Sequence, residues 1–289
     1  MTQIGTAVSL PAPTLWQTVK RFKGKISLTM LLVVAESALD LLFPLFIGFA
    51  INGLLAQSYS GVLALGGLGL AALIVGSGRR FYDTRAYAAI YTTLSTEMVA
   101  REQDKESNIS TISARASLLT EFVEFLENSM PGIITSIIGL VGILGIIFSL
   151  NIAIFVAALG LLLLMILVYV ISGRWNFRYN KGYNDALEEQ VDVLTTKDMG
   201  IIGTHFKTVM RWNIKLSDLE TVNYAAIWLG IIGLLVYAPI AAVASGVSNF
   251  GLVFSILMYV FQYVESVVTL PLFIQQLIRL QEISQRLGE

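Results

Sequence analysis

Three carboxylates interrupt long apolar stretches of the sequence. Glu36 and Asp40 lie in an apolar run at about 26–56, and Glu265 lies in another at about 250–276. An ionisable group is costly at membrane depth, so such residues are candidates for a functional role. Glu36 and Asp40 are four residues apart and share one face of a helix. They can exchange protons if water reaches them; the alternative is that they are protonated and hydrogen-bond to neighbouring helices.

Polar residues around Glu265 follow one stripe of the predicted helix. Gln262, Glu265, Thr269 and Gln276 have the spacing i, i+3, i+7 and i+14, which keeps them on one helical face. If both carboxylate-bearing helices line a central cavity, the two polar stripes face water and not lipid. The candidate pathway and proton-coupling residues are therefore Glu36, Asp40, Gln262, Glu265, Thr269 and Gln276.

The sequence predicts no catalytic, metal or cofactor site. It contains no Cys, and His205 is its one histidine, so a thiolate or helical two-histidine metal site is excluded. No phosphate-binding loop of the form G-x-x-x-x-G-K-[ST] is present. The Gly-rich stretch at 61–78 falls within an apolar run, where close helix packing is the expected role. We expect no ATP hydrolysis by this chain and no bound cofactor.

Six apolar stretches are long enough to cross a membrane, because a hydrocarbon core of about 30 Å needs roughly 20 apolar residues in a helix. The chain is 55% apolar and 13% charged, against about 25% charged in soluble domains. Its net charge of −1 offers no clustered basic surface for nucleic acid. The predicted spans are about 26–56, 61–78, 132–149, 152–172, 225–245 and 250–276.

All 19 Lys and Arg residues fall on one side of the predicted membrane. Four precede the first span, six lie in the connection 79–130, seven lie in the connection 173–224 and two follow the sixth span. The positive-inside rule therefore predicts cytoplasmic termini and two cytoplasmic connections. Both connections are predicted to be extended helical hairpins with turns near Asp104–Thr111 and Thr196–Gly203. Arg79 and Arg80, at the exit of the second span, are expected to contact lipid headgroups.

The N-terminal residues 1–24 are predicted to be a cytoplasmic segment with an interfacial amphipathic helix at 14–22. The apolar run that follows is too long for a cleavable signal peptide and is expected to be a retained first span. Residues 25–289 are predicted to form one all-α, six-helix membrane domain.

Several segments of the sequence, in this order and topology, resemble the transmembrane domain of ABC exporters. The run at 44–55 is similar to the outer half of the first exporter helix, and the run at 78–94 to the exit of the second. Ile112–Arg115 resembles the serine–arginine segment after the first coupling helix. The run at 264–289 resembles a sixth helix that leads toward a nucleotide-binding domain.

The resemblance has two local departures and one large one. Ser110 stands near the position of a common exporter glycine, and Leu119 stands at that of a common acid. More importantly, these residues include no ATPase domain, so an ATPase is expected on a partner chain or in a segment outside this sequence. The resemblance implies a homodimer in the inner or plasma membrane, and coupling turns at Asp104, Asn108, Ser110, Thr196, Lys197, Asp198 and Gly200.

Three functions are compatible with the sequence. The first is the permease subunit or domain of a homodimeric ABC exporter-like transporter. The second is an ATP-independent, proton-coupled peptide transporter, which would resemble the SbmA/BacA type of bacterial uptake permease; the intramembrane acids favour it. The third is a non-transporting membrane scaffold. The mixture of acids with Tyr259, Tyr263 and Phe273 suits a peptide or another amphipathic, cationic cargo.

Overall fold

The structure is a computed structural model that describes residues 20–104, 108–246 and 249–288. The predicted interfacial helix at 14–22 lies mostly outside the described residues. The described helices are α1 (Lys23–Leu55), α2 (Ser60–Asp104), α3 (Ile109–Glu124), α4 (Met130–Leu150), α5 (Ile152–Glu188), α6 (Gln190–Thr195), α7 (Met199–Ala244) and α8 (Phe250–Gly288). A π-helical turn, Phe125–Ser129, joins α3 to α4.

Within the described residues, six helical stretches are long and apolar enough to cross a membrane, which confirms the predicted number of spans. The helices extend well beyond the apolar runs: α2 continues to Asp104, α5 continues to Glu188, and α7 begins at Met199. The long connections are therefore helical, as the sequence predicted. Apolarity marks the part of a helix that lies in lipid, whereas the polar extensions depend on helix propensity.

Short polar residues begin the helices where the sequence predicted turns. The Asn108 side chain accepts a hydrogen bond from the Thr111 amide at 2.8 Å. The Asp198 carboxylate accepts hydrogen bonds from the Gly200 and Ile201 amides at 2.7 and 3.2 Å. Each cap satisfies backbone donors that have no partner within the helix, which makes the helix start there.

The chain divides into two compact units, Met1–Ile146 with Asn249–Glu289, and Ile147–Ser248. In the first unit, α1 packs against both α2 and α8. An aromatic and aliphatic cluster fills the space between α2, α3 and the π-helical turn, and its most buried side chains include Tyr87, Ile90, Phe122 and Leu126.

Close backbone contact joins α1 to α8 at the end opposite the long connections. A Cβ atom on Gly251 would overlap the backbone oxygen of Gly48, and the Gly251 amide donates to the Asn52 side chain at 2.9 Å. Ser255 Oγ donates to the Pro44 carbonyl at 2.7 Å. Glycine is required here because the two helices approach too closely for a side chain between them.

The second unit is built on an antiparallel pair, α5 and α7. The Asn223 amide donates to Ser172 Oγ at 3.0 Å, and further along the pair Gly182 lies against the Trp212 ring. Trp212 also lies beside Tyr179, with their ring centroids 6.2 Å apart. The short helix α6 connects the two long helices at the tip of this hairpin.

Candidate functional site

A cavity of about 250 Å³ lies between α1, α4 and α8 in the first unit. Two carboxylates line it: Asp40 from α1 and Glu265 from α8. Neither makes an ion pair with any residue of the part of the chain that the structure describes. Leu41, Ile143 and Phe273 supply apolar wall. The cavity is thus amphipathic, with its charge carried by two unpaired acids.

Hydrogen-bond acceptors dominate the polar wall of this cavity. Gln262 Oε1 is buried and has no hydrogen-bond partner among the described residues. Ser266 Oγ and Thr269 Oγ1 donate to carbonyls of their own helix, those of Gln262 at 2.9 Å and Glu265 at 3.1 Å, and so keep lone pairs available. Across the cavity, Ser37 Oγ donates to a threonine hydroxyl of α4 at 3.1 Å. The residues that line the cavity include no Lys, Arg or His, so the wall fits a ligand rich in donors.

Glu36 has different surroundings from Asp40. Its carboxylate forms an ion pair with Arg79 Nε and lies 3.7 Å from a guanidinium nitrogen of Arg80. Arg79 also reaches the Asp83 carboxylate at 3.3 Å. Glu36 is not among the residues that line the cavity. Its negative charge is instead compensated at the junction of α1 and α2.

The sequence led us to expect that Arg79 contacts lipid headgroups, and for this residue the expectation is wrong. Its side chain is turned inward and does not reach toward headgroups. Its side chain is 19% exposed, whereas that of Arg80 is 72% exposed. Inside, Thr29 Oγ1 donates to Asp83 Oδ1 at 2.7 Å, so the carboxylate that receives Arg79 is itself held by α1. A low-dielectric site favours such pairing, since an unpaired buried charge is costly.

The six predicted pathway residues therefore fall in three places. Asp40, Gln262, Glu265 and Thr269 line one cavity, and Glu36 lies in the ion-pair network. Gln276 does not line the cavity, although its Oε1 atom is also buried and lacks a partner among the described residues. Their role in transport stays a prediction.

Sequence reasoning missed the hydroxyls of the cavity and the Arg79 network. Ser37 lies between the two α1 acids, and Thr135 and Ser136 are small polar residues on an otherwise apolar α4. Their positions within apolar runs were a usable signal. Arg79 and Asp83 are four residues apart, a spacing that brings side chains together on a helix, and this could also have been noticed.

The predicted coupling turns lie at the tips of the helical extensions. Asp104 ends α2, and Asn108 precedes α3, in which Ser110 lies. In the other turn, Thr196, Lys197 and Asp198 separate α6 from α7, in whose first turn Gly200 lies. Lys197 has a positive φ of 55°, which reverses the chain before the Asp198 cap. Coupling itself is untested.

Ion pairs of Arg115 and Arg21 lie farther along the first hairpin than the Arg79 network. Arg115, in the serine–arginine segment, donates to Glu102 at 2.8 Å, and Glu102 is buried. Nearer the membrane, both terminal nitrogens of Arg21 bind the Glu97 carboxylate, at 2.6 and 2.7 Å. The hydrogen bonds from Arg21 lower the pKa of Glu97 below its ordinary value, because they favour the charged form.

The geometry is that of a helical membrane domain with a polar cavity, and the family comparison agrees. Residues 15–249, most of the chain, match the sequence profile of the ABC transporter transmembrane region. The chain belongs to that family and is a permease domain for membrane transport, with the fold of an ABC exporter transmembrane domain. No curated protein matched the sequence.

Proposed function

We propose that two copies of this chain form the transport pathway of an ABC exporter-like transporter, and that the cavity between α1, α4 and α8 binds a cationic group of an amphipathic cargo, such as a peptide. The observation that supports the cargo class is a pair of acids, Asp40 and Glu265, that have no ion-pair partner among the described residues and lie in a wall of acceptors. A cation with N–H donors satisfies both the charge and the free lone pairs, and Phe273 offers a ring for a cation–π contact.

A binding measurement on the purified chain tests the cargo class. The probes are an amphipathic dye with a primary ammonium group and a neutral dye of the same shape. We expect the cationic dye to bind at least about tenfold more tightly, because two unpaired carboxylates attract it at short range. Asp40→Asn combined with Glu265→Gln should remove this preference.

The matched control is Glu188→Gln combined with Asp192→Asn, which removes two acids from exposed positions of the other hairpin. This control should retain the full preference for the cationic dye. Equal binding of the neutral dye, or an unchanged preference in the cavity variant, would contradict the proposal.

We assign ATP hydrolysis to an ATP-binding cassette domain outside these residues, on a partner chain or in a segment that this sequence does not include, which contacts the two turns. The absence of a phosphate-binding loop from this sequence supports this assignment. The purified chain should therefore show no magnesium-dependent ATP turnover. Turnover that persists in the pure protein after removal of contaminants would overturn it.

A proton-coupled mode without an ATPase is the second candidate, and the shared location of Asp40 and Glu265 favours it. Proton coupling needs ionisable groups on the transport pathway, and Asp40 and Glu265 are two such groups in one cavity. Proteoliposomes with an imposed pH gradient and no ATP separate the two modes. Cargo movement under these conditions supports proton coupling, and its absence supports dependence on ATP.

The proposed location is the cell membrane, with both termini and both long hairpins in the cytoplasm. The distribution of Lys and Arg supports this orientation. Because the sequence has no Cys, single cysteines introduced at Ser58 and Lys197 can be labelled in intact cells with an impermeant maleimide. Ser58→Cys should react and Lys197→Cys should not; the reverse pattern would invert the topology.

A further inference from the structure

The basic residues of the second unit have no acidic partners among the side chains that the structure describes. The connection between the fourth and fifth spans carries seven of them, namely Arg174, Arg178, Lys181, Lys197, Lys207, Arg211 and Lys215. None pairs within 4.0 Å with a carboxylate of residues 20–104, 108–246 or 249–277. In the first unit, by contrast, Arg21, Arg79, Arg80 and Arg115 each contact an acid. The charge of the second unit is therefore not compensated by the side chains that the structure describes.

These side chains form two rows, one on each helix of the antiparallel pair. On α5 the row is Arg174, Arg178 and Lys181; on α7 it is Lys207, Arg211 and Lys215. Spacings of three and four residues keep each row on one helical face. The direction of each side chain around its helix follows from 3.6 residues per turn. Viewed along each helix from its N-terminus, both rows are turned in the same direction away from the line where α5 and α7 touch. For antiparallel helices, equal rotations lead to the same side of the pair, so the rows form one basic face.

Arg178 and Lys215 lie at the same position along the axis of the α5–α7 pair. Lys215 Nζ is 5.8 Å from the ring centre of Tyr179, the neighbour of Arg178, and 4.3 Å from that of Trp212. These ring contacts hold the Lys215 ammonium beside α5. Arg174 lies one helical turn nearer the apolar part of α5.

The depth of these residues corresponds to lipid headgroups. The fourth apolar run ends at about residue 172, so Arg174 and Arg178 lie about 3 and 9 Å beyond it at 1.5 Å per residue. The headgroup layer begins at the edge of the hydrocarbon and is about 5–8 Å thick on each side. Arg174 therefore lies within this layer. The backbones of Arg178 and Lys215 lie just beyond it, and their long side chains can extend back toward the phosphates. The exposed rings of Trp175 and Phe177 are typical of this boundary. Lys207 lies two helical turns farther from the membrane than Lys215.

Among the acids of α7, Asp218 is the closest to Lys215 along the helix axis. It is exposed and makes no ion pair with the cations of this face. Asp185 shares the basic face at a greater distance from the membrane. Glu220, two residues beyond Asp218 along α7, is also exposed. Three cations thus meet two carboxylates at this depth, and the local charge remains positive.

We propose that Arg174, Arg178 and Lys215 bind the phosphate of an anionic phospholipid in the adjacent leaflet. The guanidinium groups match the geometry of phosphate oxygens, and the ammonium adds a point charge. The exposed apolar face of α5 just within the membrane, with Leu167 and Val170, contacts the acyl chains. An acidic protein surface would be attracted by the same charges, but the depth and the neighbouring exposed rings favour a lipid.

Native mass spectrometry of the purified chain tests this lipid site. The protein is mixed with equal amounts of phosphatidylglycerol and phosphatidylcholine that carry identical acyl chains. We expect the wild type to bind phosphatidylglycerol preferentially. One basic residue near an anionic surface contributes about fivefold in binding, so Arg174→Gln/Arg178→Gln/Lys215→Gln should lower the preference on the order of 100-fold. The single variant Arg178→Gln should lower it about fivefold.

The matched control, Lys181→Gln/Lys197→Gln/Lys207→Gln, removes the same charge from outside this cluster and should change the preference by less than about twofold. Circular dichroism verifies that each variant is helical. An equal effect of both triple variants would mean that net charge alone attracts the lipid and would overturn the site. A wild type without preference would overturn it too, and would leave an acidic protein as the partner of this face.

Discussion

Glu36 and Asp40 are one helical turn apart on α1, yet they have opposite electrostatic surroundings. Arg79 and Arg80 compensate Glu36, whereas Asp40 lines the cavity without an ion pair among the described residues. The sequence predicted that both acids lie at membrane depth, because that follows from their position in an apolar run. It could not predict their partners, since the contact with Arg79 depends on how α1 is rotated against α2.

Arg79→Gln should be among the most destabilising substitutions in the first unit. It leaves Asp83 without its cation and leaves Glu36 with only the exposed Arg80 at 3.7 Å, and loss of one partner of a buried pair costs up to about 3–5 kcal/mol. Thermal unfolding in mild detergent measures the effect. Arg80→Gln is the control, because that side chain is 72% exposed and its substitution should cost less than about 0.5 kcal/mol. Equal losses for the two variants would contradict the assigned network.

The contact between Arg21 and Glu97 should depend on pH. The pKa of Glu97 is lowered in the folded protein by the hydrogen bonds from Arg21. Its stabilising contribution is therefore present above the unfolded pKa of about 4.3 and is lost as the pH falls through the lower, folded pKa. Both side chains are substantially exposed, so the contribution is small.

Thermal unfolding of wild type and Glu97→Gln between pH 7 and pH 3 measures this dependence. The wild type should have the higher melting temperature at pH 7, and the two curves should converge below about pH 4. A difference that stays constant over the whole range would show that ionisation of Glu97 does not contribute.

At the scale of elements, the helix starts were readable from the sequence but the packing of helices was not. Asn108 and Asp198 cap α3 and α7 through contacts with residues two or three positions away, and such local chemistry is visible in a sequence. The cavity brings together α1, α4 and α8, whose residues are up to about 200 positions apart. The polar stripe on α8 indicated which face is functional, whereas the hydroxyls of α4 gave only a weak signal.

Gly251→Ala should separate α1 from α8. The added Cβ would overlap the Gly48 carbonyl, which is backbone and cannot rotate away, so overpacking should cost about 1–3 kcal/mol. Gly66→Ala serves as the control, since no atom lies within 4 Å of its added Cβ and alanine favours the helix. The melting temperatures of both variants in detergent measure this cost. A Gly251→Ala variant as stable as wild type would refute the close approach of α1 and α8.

At the scale of the whole molecule, the sequence predicted the six spans because they follow from length and apolarity. It predicted the exporter fold through the resemblance of its segments to those of ABC exporters. The family match confirms the class. Oligomeric state depends on a surface between chains, and no pattern within one sequence specifies it.

We expect a two-fold homodimer, because symmetric pairs are the commonest closed assembly and six helices are too few to enclose a pathway. Native mass spectrometry in mild detergent should give twice the chain mass of 31.6 kDa. Crosslinking in the membrane controls for dissociation by detergent. A monomer that transports cargo would exclude this assembly.

The ion pair between Glu36 and Arg79 also constrains how the protein enters the bilayer during synthesis. The ribosome needs about 2–9 s to add the 43 residues between them. During this interval Glu36 has no cation, and a central acid opposes insertion of a helix by about 2.5–3.5 kcal/mol. The α1 helix should therefore wait at the translocon and partition into lipid together with α2. In a glycosylation-based insertion assay, α1 alone should insert less completely than the α1–α2 hairpin, and Arg79→Gln should abolish the advantage of the hairpin.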